Sequence, residues 1–180
     1  TPTLFETDSA LAWGFYGWRL NSYRATIPHE GFSFFRRWAH AKNDDYFVFT
    51  KNVDGQFQKA GFDEKRIYEC HGSIQHLQCI RACDGEIWSA DEFMPVVDED
   101  NCRLLSAKPY CISCGGLARP NILMFNDAFW LPWRSEFQFI RQRDWLESVG
   151  DTVIIEMGAG KAIPTVRNLS ERLTRKNKTH

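Results

Sequence analysis

Asp45-Tyr46-Phe47-Val48-Phe49-Thr50-Lys51-Asn52-Val53-Asp54-Gly55 is the stretch that sets the fold class. A short apolar run stops abruptly at polar residues, the pattern of a strand buried on both faces of a parallel sheet. Downstream, Arg66 to Cys70 reads as a second strand, ending at His71. Upstream, Ser9 to Tyr23 sets Leu11, Phe15, Trp18 and Leu20 at helical spacing, with Asp8 or Ser9 as cap. His29 to Ala41 forms a second aromatic-rich helix entered through Pro28. Further on, Asn121 to Phe125 and Thr152 to Met157 read as strands, Asp127 to Ser148 carries a helix, and Thr165 to Leu173 is the last helix. Strands alternating with helices predict an α/β domain, with a mostly parallel sheet and helices on both faces.

Between Ser73 and Gly116 the helical periods give way to cysteines, acidic residues and short β-like pieces. Such a segment is too small to bury a core unaided and calls for a staple. The sequence supplies one. Cys79 and Cys83 form one close pair and Cys111 and Cys114 another, with Gly115-Gly116 allowing a tight turn after the second. Paired cysteines at this spacing are zinc ligands, and four thiolates leave no coordination position for a substrate, so the zinc is expected to be structural. Cys70 and Cys102 stand outside pair spacing and read as a core thiol and a loop thiol.

The 180 residues, 43% of them hydrophobic and including fourteen Phe and seven Trp, provide ample core for one domain with a small module inserted. A net charge of −1 gives no electrostatic footprint for nucleic acid or a membrane surface, and neither is expected as a partner. The basic stretch Arg172 to Lys178 reads as a solvated helix end. No apolar run approaches the ~18 residues of a membrane span and no signal segment opens the chain. Together with unpaired metal-type cysteines, this points to a reducing, cytoplasmic compartment.

Ligands of open α/β sheets bind at the carboxyl ends of strands. Asn52 and Asp54 follow the first strand and His71 follows the second, so both loops are candidates for one cleft. A histidine after a strand is by itself more often structural; its pairing with Asn-x-Asp in a matching loop makes it a candidate base. Gly158-Ala159-Gly160, after Thr152 to Met157 and before the last helix, suits ribose or phosphate oxygens, although alone it is a plain turn. Tyr16 and Arg19, three apart, share one face of the first helix.

The order Asn-Val-Asp-Gly, His-Gly-Ser, two cysteine pairs, then Arg119-Pro120-Asn121-Ile122-Leu123-Met124-Phe125 resembles the sirtuins, the NAD-dependent protein deacylases. The resemblance implies a Rossmann-like fold with a zinc-ribbon module. It divides the chain into an NAD-binding domain of residues 1–72 and 117–180 and a zinc module of 73–116. It implies that Asn52, Val53 and Asp54 form the nicotinamide pocket with Lys51, where the family usually has Gln, beside them. His71 would be general base on a ribose hydroxyl, a role suited to imidazole near neutral pH. Gly158, Ala159 and Gly160 replace the family's Gly-Thr-Ser at the cofactor's adenosine side. Phe125 and Asn126 lie where the family's strand end pairs with the acylated-lysine peptide or protein substrate. Tyr16 and Arg19 match a Tyr-x-x-Arg that in one sirtuin class holds the carboxylate of malonyl- or succinyl-lysine. The implied reaction releases nicotinamide and acyl-ADP-ribose, the acyl group being acetyl or an acidic one.

The resemblance runs from about Leu4 to Arg172 and leaves out the family's first strand, Gly-Ala-Gly phosphate loop and Phe-Arg loop, and its last strand. The expectation is a fragment of a longer sirtuin that binds NAD poorly by itself. The alternatives are an ADP-ribosyltransferase or NAD hydrolase on the same scaffold, and a non-catalytic zinc-ribbon interaction module.

Overall fold

The computed structural model describes residues 1–160 and 164–177. A short helix, α1 (Thr3–Thr7), leads into α2 (Ser9–Ala25) and α3 (Glu30–Ala41). Asp8 caps α2 by accepting from the Leu11 N–H at 3.1 Å, and the His29 side chain caps α3 at Gly31. Then come β1 (Val48–Thr50), the single turn α4 (Gln56–Lys59), a 3-10 turn (Glu64–Arg66) and β2 (Ile67–Glu69). Strands β3 (Gly72–Cys79), β4 (Ile87–Ser89), β5 (Val97–Asp98), β6 (Arg103–Leu104) and β7 (Ala118–Ile122) follow, and α5 (Trp133–Ser148) and α6 (Thr165–Asn177) complete the described chain.

Strands β1 and β2 pair in parallel, Val48 opposite Ile67 and Thr50 opposite Glu69. The other pairs are antiparallel: β3 lies between β4 and β7, and β5 pairs with β6. The sheets are therefore mixed, with helices packed on them.

Two strands differ from expectation. Pairing with β3 shifts the strand expected at Asn121 to Phe125 to Ala118–Ile122, because its register is fixed by Cys79 opposite Ala118. Thr152 to Met157 forms no strand; Val153 is 87% exposed and Ile155 52%. Apolar, β-branched residues favour a strand only where a neighbouring strand completes the ladder, and no described strand flanks this segment.

One buried cluster joins Phe5, Trp13, Leu20, Val53, Ile74 and Ile122 with others from the same layers. Trp13, fully buried, donates its indole N–H to the Ala118 carbonyl at 3.0 Å. The cluster also takes in Leu77, Ala90 and Leu104, so the cysteine-bearing stretch shares its core with α2. Gly14 permits this contact: a Cβ there would lie 2.0 Å from the Cys102 carbonyl oxygen. No described helix is long and apolar enough to cross a membrane.

Candidate functional site

The parallel pairing of β1 with β2 decides the geometry of the cleft. The Cys70 N–H donates to the Thr50 carbonyl at 3.0 Å, carrying the ladder one residue past the strands. The Ile74 N–H then donates to the Val53 carbonyl at 2.9 Å. The Asn52 loop and His71 consequently leave the same edge side by side. Within the first loop, the Asn52 N–H donates to Thr50 Oγ1, Val53 is buried, Asn52 is exposed and Asp54 is half-buried. Asp54 Oδ1 accepts from the Gln56 N–H at 2.9 Å, and no described residue hydrogen-bonds its Oδ2.

His71 is half-buried, and its carbonyl accepts from the Leu123 N–H at 2.9 Å. Its imidazole has no hydrogen-bond partner among the described residues. Burial, and secondarily the Lys51 ammonium nearby, hold its pKa below the ordinary histidine value, so the ring is a neutral base at physiological pH. Burial also pushes the neighbouring Cys70 thiol up to about 11, which keeps it inert. The glycine after the histidine is dictated by geometry. Gly72 has φ +78°, and a Cβ on it would lie 2.1 Å from the Asn121 carbonyl oxygen across the β3–β7 ladder.

Gly158, Ala159 and Gly160 lie in an irregular segment, held to α6 by Arg167, whose Nη2 reaches the Ala159 carbonyl at 3.4 Å and whose guanidinium pairs with Glu156. A cavity of ≈ 340 Å³ separates α6 from the β1–β2 pair, with Cys70, Tyr68, Asn168 and Arg172 in its wall. This loop is thus not brought into contact with the Asn52 and His71 loops by any hydrogen bond of the described residues.

At the end of β7, Arg119 and Asp127 pair and the Met124 N–H donates to the Asp127 carboxylate. This closes 124–127 into a turn with Asn126 at φ 58°, a left-handed conformation that Asn tolerates. Phe125 is turned outward, 77% exposed. Tyr16 stacks on Phe5 at 5.5 Å and packs on the core that contains Met124. Burial raises its phenol pKa, with Arg19 and Arg119 near enough to oppose the shift. Arg19 is gripped by Tyr23, whose phenol oxygen accepts from Nε at 2.9 Å and also from Nη2.

The four paired cysteines converge as expected. Their Sγ atoms all lie within 4.8 Å of one another, with Cys79–Cys114 at 3.7 Å and Cys83–Cys111 at 3.6 Å. A tetrahedron with Zn–S bonds of about 2.3 Å has edges of about 3.8 Å, so the cluster fits a structural zinc. Thiol-to-thiol hydrogen bonds, Cys114 first, push the Cys83 pKa up in the absence of a cation. A bound metal ion reverses that preference and holds thiolates. The additional residue in the first knuckle is absorbed at Ala82, φ 51°. Cys70 and Cys102 lie outside the cluster.

Several contributors carried no signal in the sequence. Thr50 orients the Asn52 loop through its hydroxyl. Gln56, buried, links that loop to α2 by donating to the Tyr23 carbonyl at 2.9 Å. Gln78 and Asn121 form a buried amide network with the carbonyls of Phe129 and Leu131.

An α/β frame, a histidine and an Asn-x-Asp loop on one strand edge, and a four-thiolate knob define a Rossmann-type cleft beside a structural metal site. Residues 1–156 match the Sir2 family model, and the chain belongs to that family. It is similar to NAD-dependent protein deacylase 2 of Pyrobaculum aerophilum, 31% identical over 86% of this chain and 57% of that protein. It is also similar to the NAD-dependent protein deacylase of Aquifex aeolicus, 28% identical over 71% of this chain and 48% of that protein. Among solved structures, a Sir2 homologue in complex with NAD superposes with a TM-score of 0.64 at 19% identity, over 98% of this chain and 61% of that one. The chain spans about half the length of the curated relatives it matches.

Proposed function

We propose that this chain carries the substrate-facing part of an NAD-dependent protein lysine deacylase. The observation that carries it is the adjacency of the Asn52 loop and His71, fixed by the Cys70–Thr50 and Ile74–Val53 hydrogen bonds. The deacylase names of the relatives support the same activity. NAD supplies, when bound, a ribose that gives up nicotinamide and receives the acyl group. Asn52, Val53 and Asp54 hold the nicotinamide end, with Asp54 Oδ2 as acceptor for the carboxamide. His71 would take a proton from a ribose hydroxyl, its burial and, secondarily, the Lys51 ammonium keeping it neutral for that role. Gly158, Ala159 and Gly160 offer backbone groups to the adenosine side.

The acylated-lysine peptide or protein lies along Leu123 to Asn126, adding to the strand end beside the exposed Phe125. Residues 73–116 act as the zinc module that fixes β3 and β7, and residues 1–72 and 117–180 belong to the NAD-binding domain. A reducing compartment such as the cytoplasm keeps the four thiols available to the metal.

The acyl group is acidic. Arg19 is half-buried and has no carboxylate partner among the described residues, whereas Arg119 and Arg134 each have one. A half-buried guanidinium without a counter-ion favours an anionic ligand over the acetyl methyl.

The test incubates the product of the complete gene with NAD and acyl-lysine peptides. Nicotinamide and deacylated peptide should appear in equal amounts, with succinyl or malonyl peptides preferred to acetyl. His71→Ala should lower turnover by at least ~100-fold without unfolding the protein. Nicotinamide release with ADP-ribosylated protein and no deacylation would replace this reading with a transferase.

A further inference from the structure

The grip on Arg19 divides its guanidinium into a used edge and an open one. Tyr23 Oη accepts from both Nε and Nη2, which closes the side-on edge of the fork. The guanidinium carbon stands 5.2 Å from the Tyr23 ring centroid and 5.6 Å from that of Phe15, so the plane is also held by aromatic rings. Nη1 has no hydrogen-bond partner among the described residues. The backbone beneath Tyr23 is fixed too: its carbonyl accepts from the buried Gln56, whose own N–H is bound by Asp54. The acyl-end arginine and the nicotinamide-end carboxylate are thereby spaced through Tyr23 and Gln56.

We infer that Tyr23 is a positioning residue for acyl recognition, holding Arg19 so that an acyl carboxylate is received end-on, through Nη1 and the remaining Nη2 hydrogen. This rests on the acidic-acyl reading above. An arginine free to rotate loses side-chain entropy on meeting its anion, and one already oriented loses less. A side-on approach is closed because the phenol oxygen occupies it. The phenol therefore raises affinity for carboxylate-bearing acyl groups and does nothing for acetyl-lysine, which makes no contact with the guanidinium.

Tyr23→Phe keeps the ring and removes the acceptor. In the product of the complete gene it should raise KM for a succinyl-lysine peptide by about 10-fold, with kcat for that peptide and both constants for the acetyl peptide within twofold of wild type. Fluorescence anisotropy with the same two peptides should give the matching Kd change for succinyl only. In an Arg19→Met background, Tyr23→Phe should have no further effect on either peptide. Equal losses on both peptides would make Tyr23 a general packing residue and overturn the inference, as would an unchanged succinyl KM in an enzyme that prefers succinyl. A wild-type enzyme preferring acetyl-lysine, with Arg19→Met silent, would instead remove the acidic-acyl reading itself.

Discussion

Arg119 and Asp127 meet in a two-point ion pair, Nη1–Oδ2 and Nη2–Oδ1 each 2.8 Å, with neither side chain exposed. The pair joins the last β3-paired strand to the turn that carries Phe125 and Asn126, so the packing of β7 and the shape of that turn depend on one contact. Asp127→Asn leaves a buried guanidinium uncompensated and should cost about 3 kcal/mol in denaturant unfolding. The double replacement Arg119→Met with Asp127→Leu should recover most of that loss. A cost under about 1 kcal/mol for the single variant would show that water reaches the arginine.

Metal analysis should return about one zinc per chain, and Cys83→Ser should weaken its retention under chelator. Because Ile74, Leu77 and Leu104 share a core with α2, chelation should unfold the cysteine stretch and α2 in one cooperative transition. Separate far-UV and zinc-release transitions would contradict the shared core.

Ala82 holds the left-handed turn of the first knuckle at φ 51°. Ala82→Gly relieves a strain of about 1–2 kcal/mol, partly offset by the greater freedom of glycine when unfolded. The expected outcome is a rise of a few degrees in the melting temperature of the zinc-loaded protein.

Gly72→Ala brings a methyl group to within 2.1 Å of the Asn121 carbonyl oxygen at a φ that penalises any side chain. Strain and clash together should cost about 3 kcal/mol. Hydrogen exchange at Leu123, whose N–H is held by the His71 carbonyl, should accelerate along with the β3–β7 ladder.

The pH profile tests Lys51. Its ammonium disfavours the charged form of His71, so Lys51→Gln should raise the pKa of the histidine. The imidazole then becomes protonated at a higher pH, and the acid limb of kcat/KM moves upward. It should stop short of the ordinary histidine value, because burial, the larger cause, remains. An unmoved acid limb would place the ammonium too far away to act.

The sequence by itself determined the four cysteines that converge, the four longer helices and the two loops that leave the β1–β2 edge, but not the short helices α1 and α4. Each is set by local chemistry: knuckle spacing places two thiols on one turn, capping and periodicity define α2 and α3, and an apolar run ending in polar residues marks a strand end. Tertiary structure alone decided other matters. The ladder to β3 moved the third expected strand back to Ala118–Ile122, and the lack of a neighbouring strand left Thr152 to Met157 irregular. The counter-ion of Arg119 and the link from Asp54 through Gln56 to Tyr23 likewise join distant or ordinary-looking residues. A buried charge or amide is satisfied by whichever group the fold delivers to it, and sequence spacing records only the groups that are already near.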